Sequence, residues 1–335
     1  MIKEQQTRRM KVFSSGLFCL SFILLLAVFG SSLSWSAAGA YPDRSINMVV
    51  PFAPGGAMDL GSRVMADKIA EFLGQPLISV YKPGGGGSLG AALVAKAKSD
   101  GYTILAGSPS FLSIPTIVKK LDYKFDDVIP AGMYGKIPHW LVVKADARWK
   151  TLKDFVEEEK KSPGTLKVGF LGKLSSTDFV IVLLNKYAGI KLTQIPYASS
   201  GVALTSLLGG HIEAALVTGA GGLLESGQVR VLAVAEEQRL EGLPDVPTFK
   251  ESGYPLVLCS WNCLFFPKGT AKEIIDKFSK AQESAIKRYT KEIKEGLRRV
   301  EIWADFRSPE DTMEQYKKDY IFYLKLCEEL GAVAK

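Results

Sequence analysis

Ile46-Asn47-Met48-Val49-Val50-Pro51-Phe52-Ala53-Pro54-Gly55-Gly56-Ala57-Met58-Asp59 runs from a strand, through a glycine turn, into a helix. The near-continuous apolar stretch Ile46 to Phe52 reads as a buried strand, and Pro54-Gly55-Gly56 ends it. From Asp59 to Leu73, Leu60, Val64, Met65, Ile69, Phe72 and Leu73 recur at helical spacing, and Gly74 stops the helix. Working outward, Leu77 to Val80 is a second strand, followed by a glycine-rich turn and the helix Leu89 to Ala97. Tyr102 to Ala106 is a third strand. Strand-helix-strand-helix-strand order implies a parallel sheet with right-handed crossovers.

The pattern then restarts. Trp140 to Val143 is a strand, Leu152 to Lys160 a charged surface helix, Leu166 to Phe170 a strand and Phe179 to Tyr187 a helix. Leu192 to Pro196, Ala214 to Val217 and Val231 to Ala235 complete a second set of strands. The apolar run Leu256 to Phe266 could cross between the two sets, and the chain ends in helices over Lys272 to Arg298 and Pro309 to Leu330. The expected fold is therefore α/β and two-lobed. Lobe 1 is expected over residues 41–141 and 265–335, lobe 2 over 142–264, with ligand between them.

The 335 residues are 47% hydrophobic and 23% charged, a globular composition large enough for two lobes. Residues 1–40 are set apart by a basic head (Lys3, Arg8, Arg9, Lys11), an uncharged apolar middle, and Ala38-Gly39-Ala40. Together these read as a secretory signal peptide cleaved after Ala40, which places the mature protein in the periplasm; an uncleaved anchor is the alternative. Removing four basic residues and one acidic one lowers the formal charge from +7 to +4. That charge can attract anions but is no nucleic-acid-binding stripe. Cys259, Cys263 and Cys327 remain, an odd number. The first two stand too far apart along an extended strand for a disulfide, so buried thiols are expected.

Four places put polar backbone or hydroxyls at strand ends, where open α/β sheets bind ligands. The first is the loop Phe52, Ala53, Pro54, Gly55, Gly56 leading to Asp59. Its glycines let helix N–H groups approach an anion, and Asp59 supports the helix N-terminus. Ser108 and Ser110 follow the third strand; they can donate to a ligand or simply form a turn. Ser175, Ser176, Thr177 and Asp178 link a strand to a helix as ligand donors or as an ordinary N-cap. Tyr197 begins the fourth loop.

Other motifs point elsewhere and fail. Gly85-Gly86-Gly87-Ser88-Leu89-Gly90 satisfies G-x-G-x-x-G, yet it follows the second strand and lacks the acidic residue about 20 positions on. Gly172-Lys173 lacks the rest of a P-loop. His139 and His211 have no clustered ligands, so no metal and no cofactor are expected. No Gly-x-Ser-x-Gly elbow is present, and the chain is expected not to be an enzyme.

Tyr41-Pro42-Asp43-Arg44 followed by Val49 to Gly56 and Asp59 resembles the opening of the Bug family, the periplasmic solute receptors of tripartite tricarboxylate transporters. Gly74-Gln75-Pro76, Lys82-Pro83 with Gly84 to Gly87, Asp100-Gly101-Tyr102-Thr103, Pro196-Tyr197, Leu208-Gly209-Gly210, Leu243 to Thr248, Trp261 and Pro267-Lys268-Gly269-Thr270 extend the likeness in order along nearly the whole mature chain. The resemblance implies a periplasmic binding fold of type II character, joined by two crossing strands. It also implies a small organic acid ligand held by amides, hydroxyls and waters, membrane transporter subunits as partners, and a monomer. The loops at Phe52 to Gly56, at Ser108 and Ser110, and at Ser175 to Thr177 would line the cleft. Asp178 stands where the family often has histidine, which leaves room for an amine-bearing or singly charged ligand. A sensory receptor for a membrane kinase and an exported hydrolase are the rival functions.

Overall fold

The computed structural model describes residues 41–334. The expected signal peptide and its cleavage after Ala40 lie outside them. From Arg44 onward the chain is one compact unit, built on two sheets.

The first sheet contains β1 (Ile46–Val50), β2 (Leu77–Tyr81), β3 (Thr103–Gly107), β4 (Val128–Ile137), β10 (Ser260–Pro267) and the short β11 (Trp303–Ala304), in the order β11-β4-β10-β3-β1-β2. The second contains β5 (Trp140–Lys144), β6 (Lys167–Phe170), β7 (Thr193–Pro196), β8 (Ala214–Val217) and β9 (Val229–Val234), in the order β7-β6-β8-β5-β9. β1 runs parallel to β2 and β3, while β10 is antiparallel to β3 and β4. β6 runs parallel to β7 and β8, while β5 is antiparallel to β8 and β9.

With β11 set aside, both sheets share one order: β2-β1-β3-β10-β4 and β7-β6-β8-β5-β9. In each, the reversed strand is the first laid down after the chain arrives from the other sheet. The two crossings are residues 138–139 and 235–259. The fold is thus two-lobed α/β, as the element order predicts, with each parallel sheet carrying one exchanged strand. The exchanges come slightly earlier than the sequence suggests: Trp140 and Leu141 pair with β8 and β9, and Ser260 to Asn262 pair with β4.

Ten helices among the described residues cover the sheets: α1 (Ala57–Leu73), α2 (Ser88–Ala95), α3 (Pro109–Val118), α4 (Leu152–Lys161), α5 (Ser176–Ala188), α6 (Ser200–Leu208), α7 (Gly221–Glu225), α8 (Lys272–Arg288), α9 (Thr290–Arg298) and α10 (Pro309–Glu329). Val49, Leu105, Trp261, Phe265 and Tyr316 form one core. Phe155, Val168, Phe170, Phe179 and Leu216 form another, which Tyr323, Leu326 and Cys327 of α10 enter. α10 therefore has one end in each core.

The sequence pattern hides β4, because Pro130, Gly132 and Gly135 interrupt its alternation. Tertiary partners restore it: Thr312 Oγ1 accepts from Met133 N–H at 2.8 Å, and Gln282 Nε2 donates to the Gly132 carbonyl at 3.1 Å. The single helix expected over Lys272 to Arg298 divides at Tyr289 (φ −117°, ψ 30°). The Tyr289 ring lies under Lys68 Nζ (4.2 Å), and its hydroxyl bonds Glu71 on α1. Cys259, Cys263 and Cys327 carry free thiols, Cys259 being partly exposed; burial pushes Cys263 up to about 12 and Cys327 to about 11, far from reactive thiolates.

Candidate functional site

The turn after β1 and the turn after β6 are built alike. In the first, Gly55 lies in the left-handed region (φ +85°) and its N–H donates to Asp59 Oδ2 at 2.8 Å. A side chain at Gly55 would meet nothing within 4 Å, so conformation rather than space favours glycine. In the second, Leu174 takes the same region (φ +60°), and its N–H donates to Asp178 Oδ2 at 2.8 Å. Each aspartate lies four residues after the residue it holds. Both are buried, 1% and 3% exposed.

Helix starts follow at once. Gly56 caps α1 without a side chain, which leaves the first amides of α1 without a capping partner. α5 is capped by Ser175, whose Oγ accepts from Asp178 N–H at 3.2 Å. Thr177 Oγ1 lies 2.8 Å from Ser175 Oγ and accepts from Leu171 N–H at 3.0 Å.

Between the two sets of loops lies a crevice of about 380 Å³. One side is Phe52, Gly85, Gly86, Ser110, Phe111, Ile114, Pro115, Val118 and Lys119; the other is Leu171 and Lys173 to Ser176. Of the residues expected from sequence, Phe52, Ser110, Ser175 and Ser176 meet here. Ala53, Pro54, Gly55 and Gly56 are exposed in the adjoining turn. Ser108 is buried behind Ser110, with their hydroxyl oxygens 3.3 Å apart. Asp59, Thr177 and Asp178 lie under their loops. The Asp59 carboxylate is taken up by Gly55 and by the Tyr81 hydroxyl (3.1 Å), and that of Asp178 by Leu174 and, at 3.5 Å, by Lys173 Nζ. Tyr197 bonds Ser206 and packs its ring near Gly169, to the side of the crevice.

Sequence reasoning missed several neighbours. Gly85 and Gly86, set aside there as a false dinucleotide motif, form a short 3₁₀ turn that walls the crevice. Phe111 and Ile114 were hidden because Pro109 and Pro115 mask α3, although Pro at the first helical position is a favourable start. His139 had no local signal. It is wholly buried in the first crossing; Nδ1 lies 2.8 Å from the Leu258 carbonyl of the second crossing, and Nε2 lies 2.8 Å from Ser176 Oγ. Burial drops its pKa to about 4, so the ring is neutral near pH 7. A carbonyl only accepts, which puts the proton on Nδ1 and makes Nε2 the acceptor of the Ser176 hydroxyl hydrogen.

Among the described residues, other hollows lie apart from these loops. One of about 600 Å³ sits beside α8 and Phe306 to Glu310, rimmed by exposed charged side chains of one lobe. Another of about 350 Å³ lies beside the second crossing and α10, with Lys136, Glu236, Cys259, Arg307 and Asp319. Burial raises Glu236 and Asp319 there. Neither hollow joins strand-end loops from both sheets, so the crevice at Phe52 and Ser175 is the candidate site.

The family model described as tripartite tricarboxylate transporter family receptor matches residues 62–315. The chain is 34% identical over 264 residues to protein BugT of Bordetella pertussis, covering 75% of this chain and 81% of BugT. Among solved structures, a TctC solute binding protein from Polaromonas superposes with a TM-score of 0.76 at 30% identity, covering 86% of this chain and 99% of the other. MatC from Rhodopseudomonas palustris with bound malate gives 0.71 at 27% identity, over 85% and 99%. A second R. palustris protein, with adipate, gives 0.75 at 26% identity, over 87% and 98%.

Proposed function

The chain belongs to the tripartite tricarboxylate transporter receptor family, and from that premise we propose that its crevice captures a small carboxylate and releases it unchanged to the membrane subunits of such a transporter. The observation that carries this reading is the repeated loop. Two helix starts, each set by a left-handed residue tied to a buried aspartate, stand at one crevice: the second lines it through Leu174 to Ser176, and the turn of the first reaches it through Phe52, with Gly55 and Gly56 exposed beside it. Backbone amides at such starts favour anions. The malate and adipate held by structural relatives support a carboxylate as the ligand class.

The buried aspartates act as loop braces in this reading, and Phe52, Gly55, Gly56, Ser110 and Ser175 face the ligand. Lobe 1 comprises residues 41–141 and 265–335 and lobe 2 residues 142–264, apart from the ends of the exchanged strands and the shared α10. The lobes close by bending at the two crossings, and ligand favours closure because it touches both. Export with cleavage after Ala40, a periplasmic location, a monomeric state and the absence of catalysis complete the reading.

Calorimetric titration of the mature protein with a panel of organic acids, paired with mass spectrometry of co-purified ligand, tests it. Gly55→Val should weaken the best carboxylate at least tenfold while the far-ultraviolet dichroism stays native. Unchanged affinity in that variant would remove the first loop from the site.

A further inference from the structure

Resting on the receptor reading, we propose that this crevice selects a carboxylate with one anionic group and an apolar body, such as a medium-chain aliphatic or arylacetic acid, and that Lys173 is the residue meeting its charge. The lining decides this. Phe52 and Phe111 form an edge-to-face pair with centroids 5.3 Å apart, which Ile114 and Pro115 extend along one wall. Leu171 and Leu174 supply the facing wall.

Polar groups able to satisfy a hydroxylated ligand are few. The Ser176 hydroxyl hydrogen is committed to His139 Nε2, and the Ser260 hydroxyl lies 3.4 Å from the same oxygen. Ser110 and Ser175 remain, the latter already bonded to Asp178 N–H. The hydroxyls of a polyhydroxy acid would therefore enter partly unpaired, which is unfavourable in a dry site.

Charge complementarity points the same way. Lys119 and Lys173 line the crevice, and no carboxylate among the described residues does. An amine-bearing ligand thus lacks a counter-ion, because Asp178 is turned to Leu174 N–H beneath the loop. Lys173 is held from three sides: it bonds Gln194 Oε1, lies 3.5 Å from Asp178 Oδ1, and stands 5.2 Å from the centroid of the Phe170 ring. Lys119 and Lys173 are both exposed, but no side-chain partner among the described residues fixes Lys119 beyond the end of α3, so a second carboxylate would gain little from it.

Titration of the mature protein with butyrate, pentanoate, hexanoate, phenylacetate, adipate, malate and citrate at fixed ionic strength tests the proposal. Each added methylene from butyrate to hexanoate should tighten binding about fourfold. Hexanoate and phenylacetate should exceed malate and citrate at least tenfold. Lys173→Met should lower hexanoate affinity about tenfold, with the ligand-free melting temperature nearly unchanged; Lys173→Arg should restore most of it. Tighter binding of malate or citrate, a flat chain-length series, or full affinity in Lys173→Met would overturn the inference and leave the receptor reading standing. Adipate tighter than hexanoate would overturn its single-charge element. Failure of the whole panel and of any co-purified carboxylate would overturn both.

Discussion

His139 ties the two crossings to the crevice without carrying charge. Its folded pKa, about 4 against an ordinary 6.5, gives its stability contribution a definite sign. The unfolded state takes up the proton first, so the contribution is complete above about 6.5 and is lost as pH falls toward 4, on the order of 3 kcal/mol. Buried Glu236 and the half-buried Glu301 and Asp319 have pKa values raised by desolvation and act oppositely: their contribution is present at low pH and lost as pH rises through the folded values. Denaturant unfolding at pH 7 and pH 4.5 should show His139→Asn less stable than wild type at pH 7 but losing less on acidification. Equal losses would remove His139 from the acid response. Asp59 offers a second residue-level expectation. Asp59→Ala strands Gly55 N–H and the Tyr81 hydroxyl and should cost about 1–3 kcal/mol, with Asp59→Asn milder because it keeps an acceptor. Equilibrium unfolding of both variants checks it.

At the scale of elements, the start of α5 is set by Ser175, and Ser175→Ala should lose about 1 kcal/mol through the missing cap. If ligand also meets this loop, carboxylate affinity should fall by more than the cap's share, which calorimetry beside urea melts separates. The first loop differs. Gly56 has no side chain to remove, so under the proposed reading it is the left-handed conformation of Gly55 that a variant must disturb to change affinity. Sequence reading found this loop because strand, glycine pair and helix follow each other within one window. It found the second loop from its hydroxyls but missed that Leu174 plays the part of Gly55, because nothing in a leucine announces a positive φ. It missed α3 and β4 for a related reason: prolines and glycines normally signal breaks, and here tertiary partners such as Thr312 and Gln282 compensate.

For the whole molecule, α10 joins the halves. Tyr316 sits in the core of the first sheet, and Tyr323, Leu326 and Cys327 in that of the second. Deleting residues 309–335 should therefore abolish cooperative unfolding of both lobes, as read by calorimetry; a truncated chain with one intact transition would show the helix is dispensable to one core. Saturating carboxylate at about a hundredfold its Kd should stabilise the native protein by about 2.7 kcal/mol through linkage. The sequence alone determined the local terms. Hydrophobic period and glycine turns set the order of strands and helices, and the order of motifs along the chain gave the family. Tertiary structure alone decided which strand of each sheet is exchanged, which hydroxyl hydrogens stay free, and that both aspartates brace loops from beneath. Those outcomes depend on partners far apart along the chain, such as His139 with Ser176 and Leu258, and no local pattern encodes a contact that only closure of the fold creates.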